Sequence, residues 1–459
     1  MSSASFRSPS FWLSTLDEPV ELRAPLDGDA QFDVAIVGAG YTGLWTAYYL
    51  NQQDPSCRIA IVESEFAGFG ASGRNGGWCV YFLSGIDTWI ANPSTRERAL
   101  ALQRAMFDAV DEVGRASAAS GIDCDYVKGG TLVAARSQPE LDRLREEYDG
   151  ASESGFTGDD ISWLDANEFA ERARIHGALG GTYSPHCAAL QPAKLACGLA
   201  SFLEARGVAV FEQSAVRTIE KGVLTTDHGR IRADNVLRCT EGYTCRLPGL
   251  KRAILPLHSM MVATEPLPES VWQEIGLQGR PTFADHRRSI TYGQRTADDR
   301  LTFGTRGLYH FGSGIRDYFE PDDPSFNHTH STLLELFPSL ADVEITHRWG
   351  GAIGVTRDWM PFIQFDARTG LGAVGGYAGV GVAAANLAGR TLAELVLRET
   401  TERTSFAWVN HLSRSWEPEP LRWLGSQGVL RMGEWADAAE SKGRNAGIFG
   451  SIFDIFASH

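Results

Sequence analysis

Cysteine is scarce in this chain and never paired. Seven stand singly in 459 residues, at Cys57, Cys79, Cys124, Cys187, Cys197, Cys239 and Cys245. With no C-x-x-C spacing and an odd total, neither a disulfide framework nor a cysteine-built zinc site is expected, and the thiols suit a reducing compartment. Basic charge is short too, with 42 Lys+Arg against 57 Asp+Glu and a formal net charge of −15. That balance excludes the basic footprint by which nucleic acid and anionic membranes are bound. Long apolar runs are missing. The longest charge-free run, residues 371–389, is broken by glycines and by Asn386 and is too weakly apolar for a membrane span. The first thirty residues have no apolar signal core and carry Asp17 and Glu18, so a cytoplasmic location is expected. No nucleophile triad and no metal-ligating cluster stands out, which moves the chemistry away from side chains and towards a cofactor.

What the chain does have is glycine, 49 residues of it, gathered most tellingly in three turns. The first lies within Phe32 to Glu63. Phe32 to Val37 reads as a buried parallel strand, Gly38-Ala39-Gly40-Tyr41-Thr42-Gly43 as a tight turn, Leu44 to Leu50 as a helix, and Arg58 to Val62 as a second strand. This is G-x-G-x-x-G in the strand, turn, helix, strand setting that a dinucleotide requires. Gly38 permits the turn, Gly40 lets a pyrophosphate approach the backbone, and Gly43 lets the helix pack on the strand. Tyr41 and Thr42 open the helix, whose free N–H groups favour phosphate. Glu63 lies twenty residues beyond Gly43, where a carboxylate reaches a ribose.

The second turn sets Ser72, Gly73, Arg74, Asn75, Gly76 and Gly77 within a glycine-rich stretch, residues 68–78. Two such loops suit a long, bent cofactor better than a single phosphate, with a flexible connection as the alternative. The third runs over residues 372–382 and holds Gly376, Tyr377, Gly379, Val380 and Gly381 before a helix to about Arg398. No carboxylate follows at ribose distance. Its helix N-terminus is read as facing the electron-rich end of a redox ring, with a tightly packed structural helix as the alternative.

Between these turns the pattern alternates. A long helix is expected over 95–120, two strands over 123–136, a charged helix from Pro139 to Tyr148 and a polar loop over 150–158. The α/β pattern returns with a helix from Pro192 to about Ala205, strands at Val208 to Phe211 and Ile231 to Cys239, and a hairpin-like excursion over 215–226. Val216 sits where an adenine could lie, and apolar core accounts for it equally well. Residues 254–262 and 289–307 are β-rich.

With these turns in view, the chain resembles the FAD-dependent D-amino-acid and glycine oxidase superfamily, and within it the gamma-glutamylputrescine oxidoreductase branch. The resemblance is carried by residues 33–44 and 70–77, Gln191-Pro192-Ala193-Lys194, Ala263-Thr264-Glu265-Pro266-Leu267, Arg348-Trp349-Gly350-Gly351 and Gly375-Gly376-Tyr377-Ala378-Gly379. It implies an α/β fold (α+β overall) in which a glutathione-reductase-like, Rossmann-like FAD domain alternates with a substrate domain on a mostly antiparallel sheet. The boundaries expected are an N-terminal arm at 1–30, an FAD domain at 31–90, 178–250 and 350–400, a substrate domain at 91–177 and 251–349, and a tail at 401–459. The C-terminal turn departs from relatives that carry a histidine after its second glycine, since Val380 stands there. Arg300-Leu301-Thr302-Phe303-Gly304 lacks the lysine of the sarcosine-oxidase branch. No flavin-attaching histidine or cysteine is evident, so FAD is expected to be non-covalent.

The resemblance further implies oxidation of the C–N bond of a small amine or amino acid. Hydride passes to flavin N5, the imine hydrolyses, and dioxygen or another acceptor takes the electrons. An NAD-dependent dehydrogenase and a flavin-binding electron-relay subunit are the alternatives. Expected pocket residues on second-domain strands are His258, Tyr292, Arg306, Trp349 and Asp358, with Trp78 and Cys79 near the ring. Core packing is the alternative for His258, Trp349, Trp78 and Cys79, and a surface charge for Arg306.

Overall fold

The computed structural model describes residues 8–457. Expectations for residues 1–7 lie outside the described residues. Two eight-stranded sheets carry the fold. In the first, Phe32 to Val37 behaves as expected: the strand Ala30–Val37 is central and buried over residues 34–37. It pairs in parallel with Ile59–Val62 on one side and Gly229–Arg238 on the other. Ala209–Phe211 and Leu371–Gly375 extend the parallel order outward, and Phe362–Asp366 closes one edge antiparallel. The hairpin expected over 215–226 forms from Val216–Glu220 and Val223–Thr226. Helices Tyr41–Gln53 and Gly381–Val396 pack face to face over this sheet. There Gly389 has no room for a side chain: a Cβ would lie 2.8 Å from the Trp45 Cβ and from the Thr46 backbone N.

The second sheet orders Ile345–Val355, Leu255–Thr264, Leu301–Leu308, Thr291–Arg295, Thr282–Asp285, Thr131–Ala135, Gly180–Ser184 and Ser162–Asp165. All its pairings are antiparallel except Thr282–Asp285 with Thr131–Ala135. Gly180–Ser184 and residues 350–355 belong to this sheet. The chain therefore crosses between sheets later than expected at both places. The stretch 123–136 yields one strand, Thr131–Ala135, with Val127 making only an isolated bridge to Ala189. The helix expected to stop at Tyr148 continues to Glu153, through residues read as loop. A 20-residue helix, Leu421–Glu440, was not expected at all. Among the described residues no helix is long and apolar enough to cross a membrane.

The N-terminal arm begins buried, at residues 9–13, and runs largely exposed from there to residue 30. Ser10 caps a one-turn helix, Phe11–Ser14, and Phe11 and Trp12 are each only 2% exposed. Trp12 Nε1 donates to the Asn75 carbonyl at 2.7 Å, Ser10 Oγ to the Gly73 carbonyl at 2.6 Å, and Gln191 Nε2 to the Trp12 carbonyl at 2.7 Å. The arm is thus a wedge behind the second glycine turn, and its aromatic rings do what a loop made of glycines cannot do for itself. Trp12→Ala should lower unfolding stability by about 3–5 kcal/mol, the usual cost of emptying a buried aromatic site. Trp12→Phe should lose less. Denaturant titration of the three proteins checks this, and equal midpoints would show that the arm carries no load.

Candidate active site

The three turns converge on one side of the first sheet. Gly40 precedes the helix Tyr41–Gln53; as the N-cap residue it has no side chain to offer, and no acidic residue stands in the first turn. Gly43 has no room for a side chain: a Cβ there would collide with the Gly38 carbonyl and touch Ile36 at 3.2 Å. Ser72 Oγ, from the second turn, accepts the Tyr41 N–H at 2.8 Å and sits 3.0 Å from where a Gly40 Cβ would be. Glu63 Oε2 accepts the Ala39 N–H at 2.8 Å, and its Oε1 accepts the Glu65 N–H at 3.0 Å. Desolvation raises the Glu63 pKa while these N–H groups oppose the rise. The carboxylate is thereby fixed at the edge of the turn. Ser214 N–H bonds the Glu63 carbonyl at 2.8 Å, which brings the chain leading to Val216 alongside. Val216 is half-buried against the core of the parallel sheet.

The second turn is folded on itself and gripped by both domains. Asn75 Oδ1 accepts the Gly77 N–H at 2.8 Å. Arg74, 2% exposed, donates from Nε to the Phe69 carbonyl at 2.7 Å and from Nη1 to the Asp317 carbonyl at 2.5 Å, while its Nη2 has no partner among the described residues. Gly76 faces Tyr292 so closely that a Cβ would lie 2.6 Å from the ring.

The third turn contains a residue that sequence reading missed. Glu241 accepts the N–H groups of Gly376 and Tyr377, each at 3.1 Å. Desolvation pushes its pKa up to about 7 against those bonds. An isolated glutamate after a strand end carries no periodicity or motif, so no sequence signal marks it. Two of the N–H groups expected to face a redox ring are therefore already engaged, and Ala378 N–H is spent on the Gly354 carbonyl at 3.0 Å. What remains is the start of helix Gly381–Val396, where Val380 offers no side-chain cap and no acidic residue follows in the first turn. Tyr377 and Thr42 hydroxyls, 3.0 Å apart, tie this turn to the first one.

Strand alternation and register place Tyr292, Gly304, Arg306, Ser259 and Met261 on one face of the second sheet. Tyr292 Oη and Ser259 Oγ share a short hydrogen bond. Arg306 has no ion-pair partner among the described residues, and its Nε is buried without an acceptor. Burial lowers its pKa to about 10, with Tyr292 opposing, so it stays charged near neutral pH. Gly379, at φ +96°, lies directly under it; a Cβ there would be 2.8 Å from Arg306 Nη2.

Three expected pocket residues lie elsewhere. His258 is fully buried, accepts the Arg316 N–H at 3.1 Å and packs against His310; burial lowers its pKa to about 4, so it is neutral. Trp349 is 2% exposed, packs on Phe11 and Trp12, and donates to the Arg74 carbonyl at 2.9 Å. Asp358 pairs with His411 at 2.8 Å. Trp78 donates to the Gly293 carbonyl at 3.1 Å with its ring 6.2 Å from Tyr292, and Cys79 is fully buried. Among the described residues no group of three His, Cys, Asp or Glu is placed to hold a metal ion.

A dinucleotide turn, two helix N-termini with no acidic residue in their first turns and a carboxylate where a ribose is expected suit a cofactor with a pyrophosphate and a redox ring. The profile of the DAO family, FAD-dependent oxidoreductases, matches residues 33–395. The chain belongs to this family. A probable oxidoreductase OrdL of Rhizobium meliloti is 31% identical over 392 residues, 82% of this chain and 86% of that one. The gamma-glutamylputrescine oxidoreductase of Escherichia coli is 31% identical over 388 residues, 83% and 87% of the two chains. Among solved structures, glycine oxidase from Geobacillus kaustophilus superposes with a TM-score of 0.64 at 22% identity, covering 84% of this chain and all of that one. At that identity the likeness shows the shared fold. DAO-family proteins are FAD-dependent, and the residues present fit FAD. The cradle at Gly40 and Gly43 is one a Cβ would fill, and the buried Arg74 Nη2 and Arg306 Nε both lack partners.

Two outcomes follow. Removing the Glu63 carboxylate deletes a charged acceptor worth about 1.5–3 kcal/mol. Glu63→Ala should therefore weaken FAD binding on the order of ten- to a hundredfold in titrations of flavin-free protein; unchanged affinity would remove Glu63 from the ribose site. Glu241, ordinarily near 4.5 but about 7 when folded, favours folding most below pH 4.5. Its contribution falls as pH rises through 7, because folding binds a proton in that window. The stability difference between the protein and Glu241→Gln should change across pH 4.5–7 and level off above it. A flat difference would show that Glu241 does not titrate there.

Proposed function

We propose that this enzyme oxidises the C–N bond of a small amine or amino acid that also carries an acidic group. The observation carrying the reading is the unpaired guanidinium of Arg306, set between the Gly379 turn and the Tyr292–Ser259 hydroxyl pair. A planar guanidinium presents parallel N–H donors that match a carboxylate or phosphonate two to two. FAD, held non-covalently by the three turns, supplies the two-electron acceptor when bound. The protein's part is to hold and orient. Arg306 anchors the acidic end and Tyr292 and Ser259 offer hydroxyls beside it; the missing side chain of Gly304 makes room for the Tyr292 ring and Met261, and that of Gly379 for the Arg306 guanidinium. The charge on Arg306 also disfavours an ammonium nearby, so a bound amine is biased to its neutral form, the form able to lose electrons to the flavin. The imine product hydrolyses to an aldehyde or keto acid and an amine or ammonia. The printed names of the relatives, a gamma-glutamylputrescine oxidoreductase and a glycine oxidase, support an amine or amino acid as substrate. The nicotinamide alternative falls with the family match.

Anaerobic mixing with polyamines, N-methyl amino acids, D-amino acids and aminophosphonates tests the reading through flavin bleaching. Flavin that none of them bleaches would overturn it. For a substrate with an acidic group, Arg306→Ala should raise the Michaelis constant roughly ten- to a hundredfold, and much less for its uncharged analogue. Equal effects on both would take Arg306 out of the pocket and leave a plain alkyl-amine.

A further inference from the structure

Arg306 also lines a space between the second sheet and the C-terminal segment. It is a cavity of about 550 Å³, in the range that encloses drug-sized ligands. Its floor is the second sheet, through Leu257, Ile290 and Arg306. Its roof is the C-terminal segment, through Leu424 and Leu430 of helix Leu421–Glu440 and Phe453 of helix Gly447–Ala457. These helices lie beyond residues 33–395, the part matched by the family profile.

The roof is held by buried charge. Glu440, with 3% side-chain exposure, pairs with Arg143 at 2.7 Å and Arg288 at 2.5 Å. Asp437 accepts the backbone N–H groups of Arg288 and Ser289, each at 2.8 Å, and Asp454 pairs with Arg288 at 2.9 Å. Leu430 presses on the residue after Arg306, since a Cβ at Gly307 would meet it at 3.1 Å. The other arginines lining the cavity are matched: Arg288 as above, Arg357 by Glu417 at 3.0 Å and Arg422 by Glu419 at 3.0 Å. Among the described residues Arg306 is the lining arginine without a carboxylate. The cavity therefore pairs one arginine without a carboxylate with a largely apolar lining.

We infer that the C-terminal helix pair is a specificity roof, and that the preferred substrate carries a bulky apolar substituent beneath Leu430 and Phe453 while its acidic group meets Arg306. The reactive end of this inference rests on the proposed amine oxidation; the apolar selection rests on the roof. Calorimetric titration of the flavin-loaded protein with straight-chain carboxylates, from acetate to decanoate, separates the two. Affinity should tighten roughly fourfold per methylene until the cavity is full. Leu430→Trp should cut that series short. Gly428→Leu should do the same with less risk to folding, because a Cβ there meets only the Met432 methyl, at 3.7 Å. Affinity that ignores chain length, or a series that both variants leave intact, would overturn the roof. A normal chain-length series in a protein whose flavin no amine bleaches would uphold the roof and remove the reaction instead.

Discussion

The second glycine turn is the constraint on which the two halves of the molecule depend. It has almost no side-chain bulk of its own, so its position is imposed from outside. Ser72 caps the first helix of the dinucleotide unit, and Trp12 and Ser10 bond its carbonyls from behind. Gln294 Nε2, from the substrate sheet, reaches the Gly76 carbonyl at 2.8 Å and the Leu190 carbonyl at 3.2 Å. Arg74 closes the set by bonding carbonyls on both sides of the domain boundary. A buried arginine spending its donors on carbonyls costs desolvation, offset here by the acceptors that Nε and Nη1 find, while Nη2 is left without one among the described residues. The result is a seam in which the missing side chains of Gly76 and Gly77 admit the Tyr292 ring and the Gln294 amide of the second sheet.

The electrostatics at the far end of the site are mixed. The third turn places N–H groups where a redox ring is expected, yet Glu241 has already claimed two of them. Arg306 brings the compensating positive charge from the other domain. Charge at the ring end is thus shared between a helix terminus, a carboxylate that titrates near neutrality and a guanidinium on a separate sheet. Changes in the substrate domain are felt electrically in the cofactor domain.

The parts of this site legible in the sequence are those governed by local backbone rules. Gly38, Gly40 and Gly43 announce a turn because a short stretch of chain must bend and be approached closely, and the strands around it are continuous apolar runs. What failed to be legible depends on partners distant in sequence. A bulge between His258 and Ser259 shifts the register against Leu301–Leu308. A one-residue slip exchanges the faces of a strand, so Ser259 rather than His258 stands beside Tyr292. Trp349 looked like a pocket wall and is instead the surface on which the N-terminal aromatics pack. Helix Leu421–Glu440 was hidden because Gly425, Gly428 and Gly433 dilute its propensity, and its stability comes from ion pairs to residues some 150 and 300 positions away in sequence.

The strand order of the first sheet also fixes when the site can come into being. The adenosine end, residues 30–63, is nearly self-contained, because its two parallel strands and the helix between them are consecutive. The flanking strand Gly229–Arg238 arrives some two hundred residues later, and Leu371–Gly375 with the helix after it arrives later still. A chain emerging from the ribosome thus completes the first glycine turn and its flanking strands long before the third turn exists. Closing the sheet pairs strands some two hundred residues apart, and the two helices above it meet across more than three hundred, the kind of non-local contact that folds slowly. On the proposed placement of the cofactor, its site is complete only when nearly all of the protein has been made.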